Sequence, residues 1–207
     1  LKELFWALNI KDDRVVEASF PVHYVFGEGP KGIDASLIGY NEGGSYNWDA
    51  PLDDYADLEN LRFQDICVDR DKTRTILDRA REVFDGILDV RLEGSWWWSL
   101  GMTTDLVLLR GMERVLLDMY DEAEGLHRLM AFLRDENLAK LELLEGEGLL
   151  TLNNGGDFIG TGGYGWCSEL PAPGFGARQA EPRDLWGFGE SQETVGVSPE
   201  MFEEFVF

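Results

Sequence analysis

Residues 149–167 read LLTLNNGGDFIGTGGYGWC, and the meaning of this stretch decides the fold. It contains Gly160-Thr161-Gly162-Gly163-Tyr164-Gly165, a match to G-x-G-x-x-G. A dinucleotide fingerprint must leave a strand and enter a helix at once, so that the pyrophosphate rests on the helix N-terminus. Here "LLTLNN" predicts a short strand that ends near Asn153, several residues too early. Beyond Gly165 comes "WCSELPAPGFGARQAEPRDLWG", whose prolines and glycines predict no helix for a phosphate to cap. No lysine follows the glycines, as a phosphate-binding loop requires. A flexible tether fits poorly too, because Asn153, Asn154, Asp157, Tyr164, Trp166 and Cys167 are not Gly/Ser filler. Two readings stay open. One is a surface loop that turns the chain. The other is a loop at the C-terminal end of a parallel strand, where barrels and open α/β sheets bind ligands.

Upstream, Leu126, Leu129, Met130, Leu133, Leu141 and Leu144 share one face of a long helix. Asp121 with Glu124 predicts its capping-box start, and Gly146 and Gly148 predict its end. "TTDLVLLRGMERVLLDMY" predicts another helical run. "KTRTILDRAREVF" predicts a helix capped by Asp71, with Ile76, Leu77, Ala80 and Val83/Phe84 on its inner face. "GILDVRL", Gly86 to Leu92, predicts a short buried strand. "EASFPVHYVF" predicts an extended strand, and "LKELFWALNI" a short helix. Gly27 to Pro51 reads as a surface excursion and "DDYADLENLR" as a short acidic helix or turn. Strands alternating with helices argue for a parallel sheet in an α/β fold.

The chain has 207 residues, 44% of them hydrophobic, so it holds enough apolar mass for a real core. Its net charge is -22, from 40 acids against 18 bases. Such a surface repels phosphate backbones and anionic lipid, which argues against nucleic-acid and membrane-surface partners. No apolar run approaches the roughly 20 residues that span a bilayer. Cys67 and Cys167 make no disulfide framework, and the N-terminal residues do not form a secretory signal, which points to a reducing cytoplasm. "GVSPEMFEEFVF" opens a helix with Ser198 as N-cap and Pro199 at the first helical position, then stops after about two turns, so the chain is expected to be part of a longer protein.

Several groups carry candidate chemistry. In an extended "SWWWS", Trp96 and Trp98 point one way and Trp97 the other. They would wall an apolar pocket for a flat macrocycle, or else form a packing cluster. Arg91, with Asp89 two residues before it on the same strand face, would grip a substrate carboxylate or form an internal ion pair. Asn153, Asn154 and Asp157 end the next strand. Asp157 would hydrogen-bond a substrate nitrogen or orient a proton donor, or else serve as a turn acid. Trp166 would sit on the same rim. Cys167 reads as a thiol near the mouth or a small buried residue, Cys67 as structural, and His127 as a helix-surface residue. His23 lies on the early strand, with some chance of reaching a pocket. No His-Cys or His-x-x-x-His pair makes a complete zinc site, so no metal ligand is assigned.

The stretch "LLRGMERVLLDMYDEAEGLHRLMAFLRDENLAKLELLEGEGLLTLNNGGDF", together with "WWSLG", "LPAPGF" and "SPEMFEEFVF", resembles the uroporphyrinogen decarboxylase-like superfamily. That superfamily includes uroporphyrinogen decarboxylase and the methylcobalamin-dependent methyltransferases. The likeness extends over Asp69 to Phe207. It implies a TIM (β/α)8 barrel of which about the first half is present, since such a barrel takes roughly 250 residues. Residues 1–68 would be an N-terminal extension of helix, strand and long loop, and 69–207 the partial barrel. The decarboxylase's arginine-bearing R-Q-A-G-R-Y-like motif is absent, as is the methyltransferases' His-x-Cys zinc pair. Missing arginines and the acidic charge favour the methyltransferase branch, with methyl transfer between a corrinoid protein and a thiol or related acceptor. Tetrapyrrole decarboxylation is the alternative, and a truncated, non-catalytic fragment that self-associates the third. Asp157 is then the catalytic candidate, with Arg91, Trp96, Trp97, Trp98, Asn153, Asn154 and Trp166 as substrate-binding candidates. Zinc and a corrinoid partner are expected of the full-length protein, no cofactor within this chain, and the chain alone is expected to be inactive. A half barrel leaves open sheet edges, which predicts self-association.

Overall fold

The computed structural model describes residues 2–10, 12, 16–39, 46–94, 100–155, 158–160, 163–164, 167–176 and 178–207. The elements run α1 (Lys2–Asn9), β1 (Ser19–His23), β2 (Phe26–Glu28), β3 (Ser36–Ile38), β4 (Asn47–Asp49), a 3-10 turn (Tyr55–Asn60), β5 (Ile66–Val68), α2 (Arg70–Phe84), β6 (Asp89–Glu93), α3 (Thr103–Arg110), α4 (Met112–Asp121), α5 (Ala123–Gly146), β7 (Phe158–Gly160), β8 (Gly163–Tyr164) and α6 (Pro199–Phe205), with two short 3-10 turns before α6. Every sheet among the described residues has two strands. The chain divides into two compact units. The first comprises Leu1–Gly27, Val68–Trp98 and Leu143–Gly187; the second comprises Glu28–Cys67, Ser99–Glu142 and Phe188–Phe207.

The first unit is built on a β-α-β connection. β1 and β6 run parallel, paired from Ser19–Asp89 to His23–Glu93. Antiparallel strands can be joined by a tight hairpin, but parallel ones need a crossover, which α2 supplies here. Its N-cap is Asp69, whose carboxylate accepts the Lys72 amide at 2.8 Å. The expected cap, Asp71, is already inside the helix, because Arg70 has begun it. Thr73 fastens this helix start to the exit of β1: its hydroxyl accepts the Val25 amide at 2.9 Å and donates to the Asp69 carbonyl at 2.7 Å. Leu77 and Ala80 are buried against Phe20, Val22, Val90 and Leu92, with Phe84 beside them. Ile76 and Val83 were expected on this inner face but are 42% and 50% exposed. The apolar stripe of α2 is therefore wider than the two strands that cover it.

The long helix α5 ends in a Schellman turn. Gly148 has φ +69°, the Leu149 amide reaches back to the Leu144 carbonyl at 2.9 Å, and the Gly148 amide to Glu145 at 3.1 Å. Leu144 and Leu149, the apolar pair that closes such a turn, are both buried with Leu150, Ala180 and Leu185. The expected strand "LLTLNN" makes no ladder. It nevertheless runs beside the end of β6: the Gly94 amide donates to Thr151 Oγ1 at 3.0 Å, and a Cβ on Gly94 would fall 1.9 Å from the Leu149 carbonyl oxygen. The contact goes through a side chain, so the backbone pairing that defines a strand does not form. Asn153 continues the series, since its side chain bonds both backbone groups of Trp186, accepting the amide at 2.8 Å and donating to the carbonyl at 3.0 Å.

The second unit packs α3, α4 and α5 around Leu52, Tyr55, Leu61 and Phe205. The α5 stripe is seated as its spacing predicts, with Leu126, Leu129, Met130 and Leu133 buried. Gly125 lies directly beneath Tyr55, where an added Cβ would meet the ring at 2.2 Å. The single run expected across "TTDLVLLRGMERVLLDMY" is two helices, broken at Gly111 with φ +88°. Asp121 belongs to the last turn of α4, so it does not cap α5. Ser198 caps α6, accepting the Met201 amide at 3.3 Å, with Pro199 first in the helix.

Candidate functional site

The C-terminal ends of parallel strands gather loops at one edge, and in α/β proteins ligands bind there. In the first unit His23 ends β1 and Glu93 ends β6, with Gly94 next in the chain touching Thr151, and Asn153 beyond it bonded to Trp186. α2 covers one face of the β1–β6 ribbon through Phe20, Val22, Val90 and Leu92. Side chains alternate along a strand, so Ser19, Pro21 and His23 with Asp89, Arg91 and Glu93 form the other face. Pro21, His23, Asp89 and Arg91 are exposed, and Glu93 is half-buried.

Arg91 is occupied. Its Nε donates to Asp89 Oδ2 at 2.7 Å and its Nη1 to Glu17 Oε2 at 3.1 Å. The hydrogen bond to Asp89 outweighs the opposing desolvation and, with the charges of Asp89 and Glu17 and the Glu17 hydrogen bond, raises the guanidinium above its ordinary pKa. The sequence placed Arg91 and Asp89 on one face, and they are bonded there on a wet surface, with the side chain of Arg91 49% exposed. Asn153 and Asn154 bind the protein's own backbone. Asn153 clamps Trp186, and Asn154 Nδ2 donates to the Leu170 carbonyl at 2.5 Å. Between them they hold both ends of the segment from Leu170 to Trp186. Asp157, Trp96, Trp97, Trp98 and Trp166 lie outside the described residues. Cys167 is half-buried, its sulfur accepting the Glu169 amide at 3.3 Å, whereas Cys67 on β5 is exposed and not in a core. His127 stacks on Phe205 at 4.7 Å, with Nε2 3.4 Å from Glu204.

The 170–186 segment folds around one acid that the sequence did not flag. Asp184 is fully buried. It accepts the amides of Glu181 at 2.9 Å and Ala172 at 3.1 Å, and it pairs with Arg178 at 2.7 Å. Arg178 in turn lies over the Phe175 ring. The neighbouring Pro182 gave the sequence-level signal of a turn, but not of a buried carboxylate.

In the second unit, sequence reasoning missed a buried polar knot. Arg110 donates from Nε to Asp118 Oδ2 at 2.6 Å and from Nη2 to Oδ1 at 3.0 Å, while Tyr55 donates to Oδ2 at 2.6 Å. Arg110 also reaches the Leu52 and Asp53 carbonyls and lies 4.5 Å from the Tyr55 ring centre. Burial pushes the Asp118 carboxyl up, but the bonds from Arg110 and Tyr55 and the charges of Arg110 and Arg114 outweigh it and hold the group below the usual range. Burial, then the Asp118 carboxylate, pushes the Tyr55 phenol well up. Beside the knot an open groove of about 360 Å³ is lined by Trp48, Asp49, Gly111, Glu113 and both Arg110 and Arg114. Both arginines are engaged, Arg114 with Asp53, so among the described residues the groove presents no free cation. Lys31 bridges Asp105 at 3.1 Å and Glu136 at 3.0 Å, a second satisfied cluster.

Among the described residues no group of three or more His, Cys, Asp or Glu is placed to hold a metal, so the zinc implied by the sequence resemblance has no ligand set there. Nor is any described helix long and apolar enough to cross a membrane. Comparison with known proteins finds no matching family model, no matching curated protein and no matching solved structure.

Proposed function

We propose that this chain is part of a uroporphyrinogen decarboxylase-like barrel enzyme that moves a methyl group between a corrinoid protein and a thiol or related acceptor. The observation that carries the architecture is an order in space that follows the order in sequence. β1 pairs with β6, Gly94 at the end of β6 meets Leu149 and Thr151, and Asn153 beyond them meets Trp186. Successive contacts thus link these segments in the order in which the chain reaches them, and the first of them is a parallel strand pair joined through a helix. That is the way a (β/α)8 barrel is laid down. The apolar exposure of Ile76 and Val83 supports the same reading, since a barrel helix packs against neighbours on both sides.

Between the two chemistries, Arg91 favours methyl transfer. A tetrapyrrole bearing several carboxylates needs unengaged cations, and this arginine is already neutralised by two acids within a chain of net charge -22. Decarboxylation is the second reading. A cytoplasmic setting accords with corrinoid chemistry and with two unpaired cysteines. Self-association belongs to the same reading, since the outer edge of a barrel segment is left to pair.

Ultrafiltration of the purified chain with methylcobalamin, and separately with uroporphyrin as a fluorescent polycarboxylate, tests the choice. Methylcobalamin is expected to be retained and uroporphyrin to pass through. Retention of uroporphyrin alone would transfer the proposal to decarboxylation, and retention of neither would remove both. Light scattering on the same sample is expected to give at least a dimer, and a monomer would count against an open barrel edge.

A further inference from the structure

α4 is apolar on two sides. Val115 and Met119 face inward, buried in the core of the second unit. The outer side of such a helix is ordinarily polar. Here it is not. Residues four apart stack on one helix face, and the outer row is Met112, Leu116 and Tyr120, which are 38%, 39% and 75% exposed. The adjoining row is Glu113, Leu117 and Asp121, with Leu117 54% exposed between two exposed carboxylates. Single surface leucines are ordinary, but a contiguous apolar patch with a polar rim marks a place where something docks.

The rim carries one sign of charge. Glu113 and Asp121 lie eight residues apart on the helix, about 12 Å along its axis. Among the described residues neither has an ion pair, and Arg114, the cation of α4, is committed to Asp53. Glu122 and Glu124, both exposed, continue the acid past the helix end. At the other end, Met112 and Glu113 reach the open groove of about 360 Å³, which Trp48 and Asp49 also line. An aromatic ring and a thioether beside two carboxylates suit a long basic side chain, its stem on Trp48 and Met112 and its charge toward Asp49 and Glu113.

We infer that the outer side of α4, with the groove at its start, docks a basic amphipathic helix of another protein. The apolar stripe of that helix covers Leu116, Leu117 and Tyr120, and basic side chains about two turns apart meet Glu113 and Asp121. Charge selects this occupant over a second copy. In a symmetric pair the same patch meets itself, which sets these acids against their own kind in chains that each carry -22. A membrane surface fails on the same ground, because its anionic headgroups would meet carboxylates. Every residue of the patch and groove belongs to the second unit, so the inference adds a protein partner whichever reaction the chain serves.

The probe is a fluorescein-labelled amphipathic helix of leucine and lysine, titrated into the full chain and read by anisotropy. A version with glutamate in place of lysine is the charge control. Saturable binding of the lysine helix is expected, with the glutamate helix at least tenfold weaker. Leu117→Gln with Tyr120→Ser leaves the charge unchanged and is expected to weaken binding about tenfold. Glu113→Gln with Asp121→Asn is expected to weaken it by a similar factor. Asp78→Asn with Glu142→Gln removes the same charge from α2 and from near the far end of α5, and is expected to change binding less than twofold. All these side chains are exposed, and circular dichroism checks that each variant folds. Methyl spectra locate the contact without altering the patch. Of the five methionine signals, that of Met112, assigned with Met112→Leu, is expected to shift most on adding the lysine helix. Equal losses in the two acid pairs would mean diffuse attraction to an acidic chain and would overturn the site. So would wild-type affinity in the Leu117→Gln, Tyr120→Ser chain, equal binding of the glutamate helix, or a Met112 signal that stays still. If light scattering shows those two apolar changes turning a self-associated chain into a monomer, a second copy covers the face and the basic partner is wrong.

Discussion

Two polar clusters of similar composition sit in opposite surroundings. In the second unit Tyr55, Arg110 and Asp118 are buried, and each donor of the guanidinium in contact has an acceptor within 3.0 Å. In the first unit Glu17, Asp89 and Arg91 share their charges on an exposed strand face, with His23 and Glu93 beyond them. The difference teaches where to look for function. A charge network that is buried and fully bonded has no capacity left for a ligand, and removing one member leaves a costly orphan. A network on a wet strand face contributes little to stability, so its residues can be exchanged at little cost to the fold.

The largest expected effect tests the buried member. Asp118→Ala leaves the Arg110 cation and the Tyr55 hydroxyl without their acceptor, and a loss of about 3–5 kcal/mol is expected. Thermal melting would show this as a fall of roughly 10 °C. A fall of only a degree or two would mean that the knot is not the strut proposed. The pH dependence carries the same sign. The folded Asp118 pKa lies below its unfolded value, so its stabilisation is complete above the unfolded pKa of about 3.9 and is lost as pH falls through the folded value. Tyr55 is shifted upward, so its share is intact below about pH 10 and is lost as rising pH passes the folded value. Acid and alkaline titrations of wild type against Asp118→Asn are expected to differ at both extremes and run parallel between them.

Gly94→Ala tests whether the side-by-side series of segments is real. An added Cβ would meet the Leu149 carbonyl oxygen, a backbone atom that cannot swing aside. About 3 kcal/mol of destabilisation is expected, at the upper end for overpacking. A neutral effect in a urea titration would separate the 149–153 segment from β6 and remove the main support for a barrel-like order.

Where signals were local, the sequence was legible. The 3.6-residue stripe of α5, the Ser198-Pro199 start of α6 and the strands β1 and β6 all follow from spacing and caps within a few residues. Gly111 was less so, because a glycine inside an apolar helical pattern is tolerated at about 1 kcal/mol and need not break it. Only the +88° φ forced by the α3–α4 corner settles the matter. Nothing local marks the Tyr55–Asp118 bond, which joins residues 63 positions apart. The stretch "DDYADLENLR" reads as a short acidic helix or turn, a pattern that carries no sign of the buried Tyr55 within it. For the candidate site, alternation placed Arg91 with Asp89, but no pattern could show that Asn153 and Asn154 bind backbone rather than substrate. Both partners, Trp186 and Leu170, come from a stretch dense in proline and glycine, in which register cannot be read.

Asn153→Ala removes the two bonds to Trp186, and about 2 kcal/mol is expected at roughly 1 kcal/mol per bond. The specific check is hydrogen exchange at the Trp186 amide, which should speed up at least tenfold while the amides of α5 keep their rates. An unchanged Trp186 amide would return Asn153 to the list of side chains available to a ligand.

The smallest effect is the most discriminating. Arg91→Ala breaks two exposed ion pairs, and surface pairs are worth about 0–1 kcal/mol, so the melting point should hardly move. The same change removes a cation from a face that also carries Asp89 and Glu93, with Glu17 beside it. If the face is merely solvated, nothing else follows. If it handles a ligand, Arg91→Ala makes the edge more negative and methylcobalamin retention should change by more than the stability does. The sign depends on what the cation does: weaker retention means that Arg91 meets an electron-rich part of the ligand, and stronger retention means that it only offset the acids. A large drop in melting point would instead put the ribbon in the same class as the buried knot, and the contrast between the two units would fail.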